Sequence, residues 1–213
     1  MRGAIIAGGA ASRFEGRPKG LESVGGRRIV DRLVGEMVDA FGALPLLVAN
    51  DPRAPAWVPG LEVVPDIRTG LGALGGIYTA VMHAPAPVVV AAWDMPFVTA
   101  PLLRALAAGL EDADACVPSS GGPRGVEPLC AAYGPACRLA IEEAIGEDDL
   151  RAVGFHRFLR VGILPLESVS GLTDPALAFF NVNTASDLAE AEATWQARDS
   201  SRLSDDGTPG RPR

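Results

Sequence analysis

Histidine is scarce in this 213-residue chain, with His83 and His156 the whole supply. Chemistry built on an imidazole base therefore has two places to sit. His83 falls on a helical stripe and reads as structural. His156, close to Arg151 and Arg157, reads as part of a solvated helix face, with a contact to an anionic ligand as the other reading. Cysteine is almost as rare: Cys116, Cys130 and Cys137 are odd in number and lack metal-ligand spacing, which predicts reduced thiols without chemistry in a cytosolic setting. No apolar run reaches the roughly 18 residues of a membrane span, and the N-terminus lacks the layout of a signal peptide, so a cytoplasmic protein is expected. Positive charge is also short. Asp and Glu number 26 against 19 Lys and Arg, a formal charge of -7, which argues against a general affinity for nucleic acid and requires any phosphate site to be local. Two phosphate-binding fingerprints are missing as well: there is no G-x-G-x-x-G, and no glycine-spaced G-K-[ST].

What the chain does have is apolar material in alternating blocks. Hydrophobic residues make up 48% and mean hydropathy is +0.20, ample for one sizeable core. The run at 4–7, AIIA, has the continuous apolarity of a strand covered on both faces, and Gly8-Gly9 breaks it. Ile29, Val30, Leu33, Val34, Met37, Val38 and Phe41 recur at three- and four-residue intervals and predict an amphipathic helix over 28–41. Strands are predicted at 44–49 and 61–64, a helix at about 75–83, a buried strand within 86–97, a helix at 101–110 and strands at 115–117 and 128–133. Helices at 137–145 and 148–159 follow, then a return to the sheet within 158–164. A strand at 178–183 runs into a helix with Thr184 or Ser186 as N-cap. Such alternation calls for a single α/β domain with a mostly parallel sheet. The body spans residues 1–197, and the polar stretch 198–213 reads as a disordered tail.

In open α/β sheets ligands bind beyond the carboxyl ends of the strands. The residues there are Gly8 and Gly9, Asn50, Asp66 and Asp94. The first loop also carries Arg13 and Lys19, so it can bring backbone N–H groups and positive charge to a polyphosphate; a plain glycine turn with two solvated cations is the other reading. Asp94, at the mouth of the buried VVVAAW run, is suited to a hard cation such as Mg2+ beside phosphates, or to capping its own turn. Asp66 after Pro65 has a turn role as its alternative. Arg124, in the loop PSSGGPRG, is a further cationic candidate.

The segments GGAASRFEGRPKGL, VVPDIR, LGALGGI, WDMPF, EPLCAAY and FNVNTASDL, in this order from about Gly3 to Leu188, resemble the molybdenum cofactor guanylyltransferases. That family belongs to the nucleotide-diphospho-sugar transferase-like superfamily, and the resemblance implies its fold, a Rossmann-like three-layer α/β/α domain. It also implies GTP and molybdopterin as substrates, Mg2+ as cofactor and pyrophosphate as product. Residue by residue, it implies that Ile6, Ala7, Gly8 and Gly9 cradle the nucleotide, with Asn50 beside them. Lys19 binds phosphate with help from Arg13, Asp66 contacts the nucleotide, Asp94 binds Mg2+, and Asn181 and Asn183 lie on the pterin side. Ala73, Pro18 and Val48 depart from the residues usual in the family. A terminal phosphate oxygen of molybdopterin is already ionised at neutral pH, so the implied reaction needs no general base, in keeping with the two histidines. A monomer is expected, in transient contact with cofactor-delivery proteins or molybdoenzymes. Two alternatives remain: transfer of another nucleotide such as CMP to the pterin or to a sugar or alditol phosphate, and a nucleotide-binding regulator without turnover.

Overall fold

The computed structural model describes residues 1–8, 18–84, 86–122 and 125–205. Strand β1 (Arg2–Ala7) is buried from Gly3 onward and lies inside the sheet, between β4 and β6. A short antiparallel pair, β2 (Ser23–Val24) and β3 (Arg27–Arg28), leads into α1 (Ile29–Phe41). Helix α1 buries Ile29, Val30, Leu33 and Met37 and stops at Gly42, whose φ of 68° closes the last turn through a bond from its N–H to the Val38 carbonyl. Strand β4 (Leu46–Ala49), strand β5 (Glu62–Val64), helix α2 (Gly72–His83) and strand β6 (Val88–Ala92) complete the first half. The second half is α3 (Ala100–Ala108), β7 (Ala115–Pro118), β8 (Cys130–Tyr133), α4 (Cys137–Gly146), β9 (Val161–Leu164), the short helices α5 (Leu166–Ser170) and α6 (Pro175–Ala178), and α7 (Ala185–Asp205).

The main sheet has the order β5-β4-β1-β6-β8-β7-β9. Strands β5, β4, β1 and β6 pair in parallel; β8 is antiparallel to both its neighbours, and β9 is parallel to β7. Because side chains alternate across a strand, Ile5 and Ala7 pack into one layer and Ala4 and Ile6 into the other. The first layer is closed by Leu33 and Met37 of α1, Leu102 and Leu106 of α3 and Ala191 of α7; the second by Ile77 of α2, Ile141 of α4 and Phe155. This is the three-layer α/β/α arrangement. The register pairs Ala7 with Ala49, Ile6 with Ala92 and Val48 with Val64, so the parallel strands end in one row.

Three expectations change. Residues 148–159 do not form a helix: Asp148 takes a positive φ of 59°, the Asp149 carboxylate binds Arg151 and Arg157, and Gly154–Phe158 makes only a 3-10 turn. An Asp that offers local side-chain bonds competes with helix formation. Residues 178–183 join no strand: α6, started by Asp174 and Pro175, takes in Ala178, and the N–H groups of Phe180 and Val182 donate to the Leu177 and Asp94 carbonyls rather than to a neighbouring strand. The boundary expected at 198 falls inside α7, which continues to Asp205; Ser200 there donates its hydroxyl to the Gln196 carbonyl. The cap of α7 is Thr184, whose hydroxyl accepts from the Asp187 N–H while the Asp187 carboxylate accepts from the N–H groups of Asn183 and Thr184.

Candidate functional site

Beyond the row of parallel strand ends lies a cleft of about 610 Å³. Ile6, Ala7 and Gly8 form its wall at the end of β1, and Asn50, Asp66 and Asp94 enter from the ends of β4, β5 and β6. Asn181 and Asn183 line it as well. Lys19 lines a smaller adjoining compartment that shares Ala7, Gly8, Asn50 and Trp93 with the cleft. Gly9, Arg13 and Arg124 lie outside the described residues. His83 is exposed at the end of α2, and His156 packs edge-on against Phe155 at 4.6 Å and is not part of the cleft wall. Burial lowers the His156 pKa to about 4, which makes it a neutral group at physiological pH.

Lys19 is buried, 8% exposed, in a 3-10 turn directly after Pro18. Its Nζ donates to Asn183 Oδ1 at 2.7 Å and stands 3.9 Å from Asp94 Oδ2. Trp93 fixes this placement. Its ring stacks on Trp57 at 5.1 Å and covers Gly20 so closely that a Cβ there would lie 2.5 Å from Trp93 Cε3. A residue larger than glycine would push the turn, and with it Lys19, away from Asp94. The Val182 N–H donates to the Asp94 carbonyl at 2.8 Å, so the Asn181–Asn183 segment is tied to the same point. Three segments far apart in sequence thus meet at one lysine and one carboxylate.

Asp94 is held at some cost. Burial raises its pKa, Lys19 opposes that rise, and burial is the larger influence. Asp94 Oδ1 is buried and finds no hydrogen-bond partner among the described residues. An orphaned carboxylate oxygen beside a cleft is suited to a hard cation. Among the described residues no group of three or more His, Cys, Asp or Glu could hold a metal, so a cation here would rest on Asp94 with phosphate and water oxygens completing its shell. That is the manner in which Mg2+ is held beside nucleotides, and the residues fit it.

On the other flank Asn50 and Asp66 brace each other. Asn50 Nδ2 donates to Asp66 Oδ2 at 2.7 Å, and the Asp66 N–H donates to Asn50 Oδ1 at 2.8 Å. The next N–H, of Ile67, donates to the buried Thr79 hydroxyl at 3.0 Å, anchoring the loop to α2. The Asp66 carboxylate is thereby aimed by a partner on a neighbouring strand end, a pairing that spacing alone does not reveal. Glu127 also lines the cleft and was not among the expected residues. It precedes β8, and since β8 runs antiparallel, its beginning rather than its end lies at the ligand edge. Collecting the residues after each strand passes over it.

The sequence and the fold match known proteins. The family model for the MobA-like NTP transferase domain matches residues 3–160. A probable molybdenum cofactor guanylyltransferase of Pelotomaculum thermopropionicum is 35% identical over 89% of this chain and 90% of its own length. The molybdenum cofactor guanylyltransferase of Desulfosudis oleivorans is 30% identical over 92% and 96%. Among solved structures, molybdopterin-guanine dinucleotide biosynthesis protein A from Archaeoglobus fulgidus superposes with a TM-score of 0.76 at 26% identity, covering 92% of this chain and all of that one. The cytidylyltransferase acting on 2-C-methyl-D-erythritol 4-phosphate from Thermus thermophilus, 18% identical with a TM-score of 0.64, shares the fold. This chain is therefore a nucleotidyltransferase and belongs to the MobA-like NTP transferase family.

Proposed function

We propose that this protein transfers GMP from GTP to the terminal phosphate of molybdopterin and releases pyrophosphate. The observation that carries the reading is the meeting of Lys19, Asp94 and Asn183 at the strand-end cleft, with Asp94 Oδ1 unpartnered among the described residues. A terminal phosphate oxygen of molybdopterin attacks the α-phosphorus of GTP, a new P–O bond forms, and the bond from that phosphorus to the α,β-bridging oxygen breaks. The nucleophile is already ionised, so no side chain has to remove a proton. Lys19 meets the charge of the approaching anions, and its Asn183 bond keeps the ammonium pointed at them. Asp94 would hold Mg2+, which when bound supplies electrostatic neutralisation of the phosphates. Backbone groups of Ile6, Ala7, Gly8 and Gly9 carry the nucleotide, and Arg13 adds positive charge. Asp66, held by Asn50, accepts from the N1–H and 2-amino groups of guanine, a donor pair that cytosine does not offer.

Asn181 and Asn183 face the pterin half of the acceptor. The protein works as a cytoplasmic monomer and passes its product on through transient contacts with cofactor-delivery proteins or molybdoenzymes. Purified protein incubated with Mg2+, molybdopterin and either GTP or CTP tests the reading by pyrophosphate release. Release with GTP and not CTP is expected, and a CTP-only signal overturns it.

A further inference from the structure

A second cleft, of about 460 Å³, opens beside the first. Glu127 and Asn181 line both, so the two spaces meet across these residues. The second is lined by the small residues Ser120, Gly121 and Gly122 and, from α6 and its C-terminal end, by Ala176 and Phe179. Segment 120–122 is anchored by the Ser119–Val126 bridge and by the bond from the Glu127 N–H to the Pro118 carbonyl. Asn181 is anchored too, its Nδ2 donating to the Phe179 carbonyl at 2.9 Å.

We propose that this second cleft receives the pterin ring of the acceptor and that the Glu127 carboxylate recognises it; the inference rests on the function proposed above. A 2-amino-4-oxopteridine presents an N3–H and a 2-amino group side by side, the same donor pair that guanine presents. Each such edge is matched by one carboxylate. The sheet order β5-β4-β1-β6-β8 puts Asp66, after β5, and Glu127, before β8, on opposite sides of β6 and its Asp94. Two heads with the same hydrogen-bonding edge thus find two carboxylates, and the phosphates that must react lie between them. Phe179 gives the lining an aromatic side chain, and Gly121 and Gly122 leave room for a flat heterocycle. From Asn181 the chain reaches Asn183 and Lys19 in two residues, about 7 Å of extended backbone, so an acceptor seated in the second cleft follows the chain to the reacting centre. Glu127 Oε1 accepts from the Leu129 N–H at 3.1 Å, which holds the carboxylate at the junction of the clefts.

The experiment is a titration of molybdopterin into the purified protein, followed by pterin fluorescence, beside a GTP titration followed by tryptophan fluorescence. Glu127→Gln keeps size and the bond from Leu129 but removes the charge, and is expected to weaken pterin binding roughly tenfold or more while changing GTP binding less than about twofold. Ala176→Trp fills the second cleft from an exposed position in its lining and is expected to give the same split while leaving the Glu127 side chain unaltered. Unchanged pterin binding in both variants, equal loss of both ligands, or no pterin binding by the wild-type protein overturns the proposal. Absence of pyrophosphate release by a wild-type protein that does bind pterin would instead overturn the transferase reading and leave the cleft assignment standing.

Discussion

Replacing Asp94 by Asn should remove turnover and leave the stability of the fold within about 1 kcal/mol of wild type or above it. The two effects come from one geometry. At 3.9 Å and an effective dielectric of about 20, the Lys19–Asp94 attraction is on the order of 4 kcal/mol. Breaking a well-formed buried pair by removing one partner typically costs about 3–5 kcal/mol. That figure does not apply here, because the pair is too long for a hydrogen bond, the ammonium keeps Asn183 as partner, and the carboxylate loses more by burial than Lys19 returns. The variant should therefore unfold within about 1 kcal/mol of wild type or above it, at most about 2–4 °C in Tm for a chain of this size. The pH dependence isolates the cause. A carboxyl whose folded pKa is raised favours folding below the ordinary aspartate value and loses that contribution as pH rises through the folded value. Wild-type stability should decline relative to Asp94→Asn as pH rises from about 4 toward neutrality, when no metal or nucleotide is present. Urea unfolding across that range, paired with pyrophosphate release, provides the assay. A loss above about 3 kcal/mol at neutral pH would show a structural ion pair and refute the reasoning, and undiminished turnover would refute the cation site.

Lys19→Met should cost on the order of 2–4 kcal/mol of transition-state stabilisation, read as a fall in kcat/KM of about 30- to 900-fold; a wild-type rate would exclude a phosphate role. Gly20→Ala drives a Cβ into the Trp93 ring and should lower stability by about 1–3 kcal/mol in urea unfolding while reducing turnover through the displaced lysine. Wild-type values in both measurements would mean that the turn adapts freely. His156 has a folded pKa of about 4, so it contributes stability that is complete above its ordinary value near 6.5 and lost as pH falls from there through about 4. His156→Leu should flatten the unfolding midpoint over that interval and leave pyrophosphate release at pH 7 unchanged; a collapse of activity with the fold intact would return His156 to the site.

The strand ends were legible because their signal is local. A covered parallel strand reads as a continuous apolar run, and the first polar residue after it must leave the sheet at the ligand edge, as Gly8, Asn50, Asp66 and Asp94 do. Residues 148–159 and 178–183 misled for a related reason. Apolar residues were present in both, but the Asp149 side chain accepts from the Arg151 N–H, and the Val182 N–H is taken by the Asp94 carbonyl.

By itself, the sequence determined most of the elements, the α/β class and the row of residues at the sheet's edge, since each follows from periodicity and turn chemistry within a few positions. Tertiary structure alone decided which of those residues touch. The Lys19–Asn183 bond spans 164 positions, the Asn50–Asp66 brace depends on β4 and β5 being neighbours, and Glu127 reaches the cleft only because β8 runs backwards. Side-chain partnerships depend on strand order and direction, which chain-long packing selects and no local pattern encodes.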